Sequence, residues 1–278
     1  MVSTIQIKPA LVLQPHISWY ALRIFDTKHT SLLKPMHAIN ESYMSFFLEE
    51  QFCGLIDDRG EWQGKRSGSL CTLFTQPHGY VTHTGKYKIF CVQFKSNGFF
   101  AIFGIPQKEV INSILPVEDI LGNDNYLLTE QLEACKNILE MAALMDAYFT
   151  KTLLCKKRKD CTYIIANTAD IILKNKGIVS LDSLSSYANM SFRNFERRFV
   201  GEVGMPPKLY ARITRFNNVL ENKMLHPHKK WTDITYENGY FDQAHLIKEV
   251  IMFSSKTPEE FFRDTPPPHE NFISGAEQ

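Results

Sequence analysis

Three arginines and three phenylalanines crowd into ten residues, "MSFRNFERRF" (190–199), of a 278-residue chain whose formal charge is only +1. Guanidinium groups bind anions, and a planar fork bonds the O6 and N7 edge of guanine or a phosphate in bidentate fashion. Read as a helix, the segment places Phe192, Phe195 and Phe199 at i, i+3 and i+7 on one apolar stripe. Arg193 and Arg197 lie four apart on another face, and Ser191 is suited to cap the start. A charge run alone is more often a solvated face than a binding site. The neighbouring elements must therefore discriminate.

The same chemistry returns downstream. "DITYENGYFDQAHLIKEVIMFSSKTPEEFF", from Asp233, echoes the earlier stretch: Leu184 corresponds to Ile234 at an offset of 50, while Phe195 matches Leu246, Phe199 matches Val250, Pro207 matches Pro258 and Tyr210 matches Phe261 at an offset of 51. One residue is added in the turn. Each copy reads as a short helix, a tight turn and a second helix with a buried stripe, the helix-turn-helix arrangement. Between them "LYARITRFNNVLENKML" carries a stripe through Ile213, Phe216, Leu220 and Met224, so one helix spaces two reading heads. B-DNA presents its major groove again about 34 Å along the axis, which suits such a pair. Arg193 and Arg197, with Asn194 between them, are the predicted contacts of the first head, and Gln243, His245, Ile247 and Lys248 are available on the outer face of the second, where Gln suits adenine and Ile a thymine methyl. Residues 160–264 hold 14 Lys or Arg against 13 Asp or Glu, so the basic face is local and the first head is expected to dominate.

The composition, 44% apolar and 22% charged, is that of a globular protein, and no apolar run is long enough to suggest a membrane span. The N-terminal stretch lacks a basic segment followed by an apolar core, and six cysteines show no CxxC, so reduced thiols and a cytoplasmic location are expected. Near-zero charge argues against a protein that coats nucleic acid indiscriminately. Short aromatic and apolar runs broken by Gly, Pro, Asn and Asp, such as "ISWYALRIF" and "YKIFCVQF", predict a β-rich domain over 1–125. A stripe from Leu132 to Leu153 predicts a long helix, which with the basic "CKKRKD" forms a linker unit over 126–159. Packing on the β domain and pairing with a second copy of the chain are equally open to that stripe. Helical signals then fill 160–266, and 267–278 reads as a disordered tail.

"LSSYANMSFRNFERRFVGEVGMPPKLYARITRF", followed by "WTDITYENGYFDQAHLIKEV" and "KTPEEFFRD", resembles the AraC/XylS family of transcription regulators over about 105 C-terminal residues. The resemblance implies an all-α, seven-helix domain with two helix-turn-helix motifs in successive major-groove segments. It also implies that Arg193, Glu196 and Arg197, and Gln243, Ala244, Ile247 and Lys248, are the base readers. Val250 stands where the family usually has Phe, and Ser255 where it has Gly. With Glu196 and Glu249 expected toward the DNA, the second head is expected to be the weaker. The N-terminal part is similar to sensor domains found ahead of such modules, many of them cupin-like barrels, which bind a small effector or drive dimerisation.

The expected fold is thus α+β and multidomain, and the expected function is sequence-specific regulation of transcription without enzymatic activity. Double-stranded DNA, a small-molecule effector, a second copy of the chain and RNA polymerase are the partners this reading admits, with no cofactor. The competing class is a cupin-like metal-dependent enzyme or metal sensor fused to a DNA-binding module, for which His16, His29, His37, His78, His83, Glu41, Glu49 and Glu50 are the available donors. No H-x-H or H-x-x-x-E pair among them falls on a predicted strand, and no metal or catalytic residue is assigned. An effector pocket lined by aromatics, with Arg23, Arg66 or His83 as polar groups, fits the composition.

Overall fold

A computed structural model describes residues 2–27, 32–48, 52–57, 60–63, 68–155 and 163–264. The basic segment 156–160 and the tail 267–278 lie outside the described residues, as do His29, Glu49, Glu50 and Arg66. Strands β1 (Val2–Ile7), β2 (Ile17–Asp26), β3 (Leu32–Pro35), β4 (Ser42–Phe47), β5 (Phe52–Asp57), β6 (Gly60–Gln63), β7 (Ser69–Cys71), β8 (Tyr80–Thr84), β9 (Lys86–Phe94) and β10 (Ile114–Pro116) form the N-terminal part. They pair into a six-stranded sheet, β1-β2-β9-β4-β7-β10, and a four-stranded sheet, β3-β8-β5-β6. The pairings are antiparallel, so the β-rich expectation holds. Among the described residues the strands form two sheets rather than one closed ring, and the cupin-type closure remains an expectation.

Period-two alternation sorts the side chains of the larger sheet. Tyr20, Leu22, Met44, Phe46, Phe90 and Val92 face a core shared with helices α1 (Gly98–Phe103), α3 (Asp124–Ala134) and α4 (Ile138–Cys155). Trp19, Ala21, Phe47, Tyr87, Ile89 and Cys91 form a cluster on the other face. A short helix α2 (Glu118–Leu121) precedes α3. The stripe from Leu132 to Leu153 is not one helix. At Cys135 the backbone turns extended, and the Asn137 side chain accepts hydrogen bonds from the N–H groups of Leu139 and Glu140 at 2.9 and 3.1 Å. Glu140 in turn accepts from the Lys136 N–H at 2.9 Å, so an N-terminal cap interrupts the run. Met141, Met145 and Phe149 of α4 pack against the sheet, while Leu139 and Leu154 stay exposed.

Among the described residues, seven helices make up the C-terminal part: α5 (Ile164–Lys174), α6 (Leu181–Tyr187), α7 (Phe192–Val203), α8 (Pro207–Leu225), α9 (Trp231–Glu237), α10 (Gln243–Ser254) and α11 (Pro258–Asp264). The expected all-α, seven-helix architecture is therefore present. Their core gathers Ile165, Ile172, Leu184, Phe195, Phe199, Tyr210, Ile213, Phe216, Leu220, Ile234, Leu246, Val250 and Phe261. No described helix is long and apolar enough to cross a membrane.

The two parts share a seam that no sequence pattern announced. Ala38 and Leu73 of the β part belong to the helical core, and the Ala38 N–H donates to Phe253 O at 2.8 Å. Asn40 donates to Thr214 Oγ1 at 2.8 Å and accepts from Asn217 Nδ2 at 3.0 Å, while the Ser96 and Tyr210 hydroxyls meet at 2.6 Å. Gly204, the left-handed cap of α7 at φ 98°, lies so close to Gln107 that an added Cβ would meet its Cβ at 3.1 Å. The His37 ring sits between Phe216 and Phe261, with centroids at 5.6 and 5.7 Å.

Burial lowers the pKa of His37 from 6.5 to about 3, so the docked state keeps the imidazole neutral where an undocked chain protonates it. Stability from this group is complete above pH 6.5 and is lost as pH falls from there toward 3, by about 1.4 kcal/mol per pH unit. Urea melts at pH 7.5 and 5.5 are expected to show this loss in the wild type and a shallower pH dependence in His37→Phe.

Candidate nucleic-acid interface

Each reading head begins with a 7-residue helix, too short to stand alone, and both are shaped by the same burial sequence. The inward residues are Leu184 and Ser185 of α6 with its C-cap Ala188, and Ile234 and Thr235 of α9 with its C-cap Asn238. Both turns then pass through the left-handed region, at Asn189 (φ 53°) and Gly239 (φ 70°). Asparagine tolerates that conformation and glycine adopts it freely, which is why these types stand there. Both second helices start on a side-chain cap: Ser191 accepts from the Asn194 N–H at 3.4 Å, and Asp242 from the His245 N–H at 2.7 Å. Each runs 12 residues and ends on a left-handed residue, Gly204 or Ser255. Prolines 207 and 258 open the helices that follow. The repeat seen in the sequence is a structural repeat.

Helix α8 holds the heads apart. Its 19 residues span about 28 Å, and Tyr210, Ile213, Phe216, Val219 and Leu220 are buried along it. The second head is further pinned by Glu249, 4% exposed, whose carboxylate lies 2.6 Å from Arg212 Nε and 3.5 Å from Arg215 Nη2 of α8. Tyr240 donates its hydroxyl to the same carboxylate at 2.9 Å, and Arg215 lies over the Tyr240 ring at 4.7 Å. Burial, followed by the charge of Glu249, pushes the Tyr240 pKa far up, so this hydroxyl stays a donor. The expectation that Glu249 brings negative charge toward DNA is overturned: it is spent inside the bundle on two arginines and a tyrosine.

On α7, Arg193 and Arg197 are exposed, and Asn194 and Glu196 are half-buried beside them. Arg197 Nη2 bonds Asn194 Oδ1 at 2.9 Å, which fixes a guanidinium on the outer surface. Arg198 instead pairs with Glu202 at 2.9 Å. The first head thus presents two outward cations. Phe192 does not join the stripe of Phe195 and Phe199: as the first residue of the helix it is 41% exposed, whereas they are fully buried. On α10, Gln243, Ala244 and Lys248 are exposed, and Ile247 is partly packed on the core. The eight predicted residues therefore divide into one outward patch on each second helix. The N-terminal part touches α7 at its far end, through Gly204, and leaves Arg193 and Arg197 open.

The metal alternative finds little here. His16 stacks on Tyr163 at 6.0 Å and His78 on Phe74 at 4.7 Å, and His83 meets Phe25 and Tyr87 edge-on at 5.4 and 5.1 Å. Among the described residues no three His, Cys, Asp or Glu side chains are grouped to hold a metal ion. Among the described residues, Cys71, Cys91, Cys135 and Cys155 take part in no disulfide.

Residues 184–264 match a family described as a helix-turn-helix domain. No curated protein matches the chain significantly. Among solved structures, ToxT from Vibrio cholerae O395 is 10% identical, with a TM-score of 0.47 over 88% of this chain and 97% of that one. ToxT of Vibrio cholerae strain SCE256 bound to an unsaturated fatty acid is 8% identical, with a TM-score of 0.47 over 88% and 95%. The AraC-like transcriptional activator CuxR is 10% identical, with a TM-score of 0.26 over 88% and 90%.

Glu249→Gln leaves two arginines facing an uncharged amide, and removal of one partner from a buried ion pair costs about 3 kcal/mol. The expected outcome is a lower urea midpoint, with the N-terminal sheets retaining their circular dichroism.

Proposed function

We propose that this chain, whose residues 184–264 are an AraC-type helix-turn-helix domain, regulates transcription by reading two successive major-groove segments of one operator. The observation that carries the detail is the pair of outward patches, on α7 and α10, mounted in the same frame on one rigid helix. Arg193 and Arg197 read guanine edges or anchor phosphates in the first segment, with Asn194 holding the Arg197 fork. Glu196, half-buried at the same face, selects against misplaced phosphate or accepts from cytosine. In the second segment Gln243 reads adenine, Ala244 and Ile247 meet thymine methyl groups, and Lys248 takes a phosphate.

The N-terminal part is the regulatory one in this proposal. It binds a small effector, and two chains pair through it; the exposed Leu139 and Leu154 of α4 are residues such pairing would cover. Its seam with α8 and with the end of α7 is the physical route by which an effector alters the set of the heads. A cytoplasmic location and contact with RNA polymerase belong to the same proposal. With His16, His37, His78 and His83 in aromatic packing, the metal-dependent alternative has no comparable support among the described residues.

Genomic footprinting of the wild type is expected to give discrete sites. Arg197→Ala is expected to lower specific binding by about 1–3 kcal/mol, while Lys136→Ala, exposed on the N-terminal part, leaves it unchanged. Equal small losses for both variants would remove the assignment of α7 as a reading helix.

A further inference from the structure

The two heads match in turn, cap and helix length, with one residue added between turn and cap in the second. Asn189 and Gly239 occupy the left-handed turn at an offset of 50. The next residues also match at 50: the Met190 N–H donates to Ser185 O at 3.0 Å, and the Tyr240 N–H to Thr235 O at 3.1 Å. The caps Ser191 and Asp242 match at 51. The added residue is therefore Phe241, which has no counterpart in the first head. It is also 86% exposed, whereas Met190 and Tyr240 on either alignment are tucked inward.

An inserted aromatic ring held in water gives the fold no burial to account for it. Nor is its position loose. Tyr240 before it is tied to Glu249, and Asp242 after it is tied to the helix it caps, so the ring stands at the mouth of α10 between two fixed residues. Gln243 and Ala244 are exposed at the same end. Recognition helices present their N-terminal residues to base edges, and an apolar ring there has one strong complement, the 5-methyl group of thymine. Phosphate is the poorer partner, because the neighbouring side chain is the Asp242 carboxylate.

Resting on the DNA-reading proposal above, we infer that Phe241 is a specificity-determining residue of the second head, packing on a thymine methyl in the major groove. Together with Ala244 and Ile247 it makes that head an apolar reader, suited to a T-rich half-site, where the first head reads by charge. The low cation count of α10 is then a change in mode of reading rather than a loss of it.

The test is a thymine-to-deoxyuridine scan of the operator selected by the wild-type full-length chain, repeated with Phe241→Ala and Phe241→Leu. Deoxyuridine pairs as thymine does but lacks the methyl, so each step removes one contact. Loss of one buried methyl corresponds to a weakening of about fourfold. The wild type is expected to show it at one or two thymines of the second half-site. Phe241→Ala is expected to bind more weakly and to show no penalty at those same thymines, and Phe241→Leu to keep part of it. An unchanged penalty in Phe241→Ala overturns the inference, as does a wild-type scan with no sensitive thymine. If the wild type selects no operator, the DNA-reading proposal itself falls, and this inference with it.

Discussion

A helix can set the distance between two others only if each is pinned to it by contacts that do not slide. Helix α8 meets that requirement twice. Toward the first head it offers Tyr210 and Ile213 to Phe195 and Phe199, a packing fixed by shape. Toward the second it adds a directional constraint, the carboxylate of Glu249 between Arg212 and Arg215 with the Tyr240 hydroxyl on its other oxygen. Apolar packing resists separation but tolerates small rotations, whereas a carboxylate held by three donors has one orientation. The angle of α10, and so the direction of every side chain on its outer face, depends on that cluster.

The same helix has a third face, and the N-terminal part occupies it. Asn40 bonds both Thr214 and Asn217, one turn apart on α8, and Ser96 meets Tyr210. These are buried polar contacts, which are costly to break singly and which fix a register. A displacement of the β part therefore cannot be absorbed locally. In the regulation proposed above it moves α8, and both heads with it.

How much of this was legible in the sequence follows from what each signal records. The repeat was legible because stripes, turn residues and the two prolines recur at offsets of 50 and 51, and such periodicity reports burial directly. The outward placement of Arg193, Arg197, Gln243 and Lys248 followed from it. The spacing of Phe192 points it inward, but at the first position of a helix there is no preceding turn to pack against, and the ring stays partly in solvent. Glu249 was placed outward because a charged residue on a helix usually is; its partners lie 37 and 34 positions earlier, beyond the reach of any local pattern. The break before α4 did leave a trace, the Asn137 and Glu140 pair of a cap, which the unbroken apolar stripe concealed. The seam left none, since Asn40 and Ser96 are single polar residues in loops and Gln107 opens a single turn of 3-10 helix.

The identical inward pattern of α6 and α9 bears on how such a protein changes over time. Folding is answered for by Leu184, Ser185 and Ala188 in one copy and Ile234, Thr235 and Asn238 in the other, along with the caps and left-handed turns. The outer faces owe the core almost nothing. Substitutions there are free of the stability threshold that purges most mutations, so a lineage carrying two copies of one frame can let each drift toward its own target without refolding either. Here one copy presents two outward arginines and the other a mixed face of Gln243, Ala244, His245 and Lys248 on the same frame.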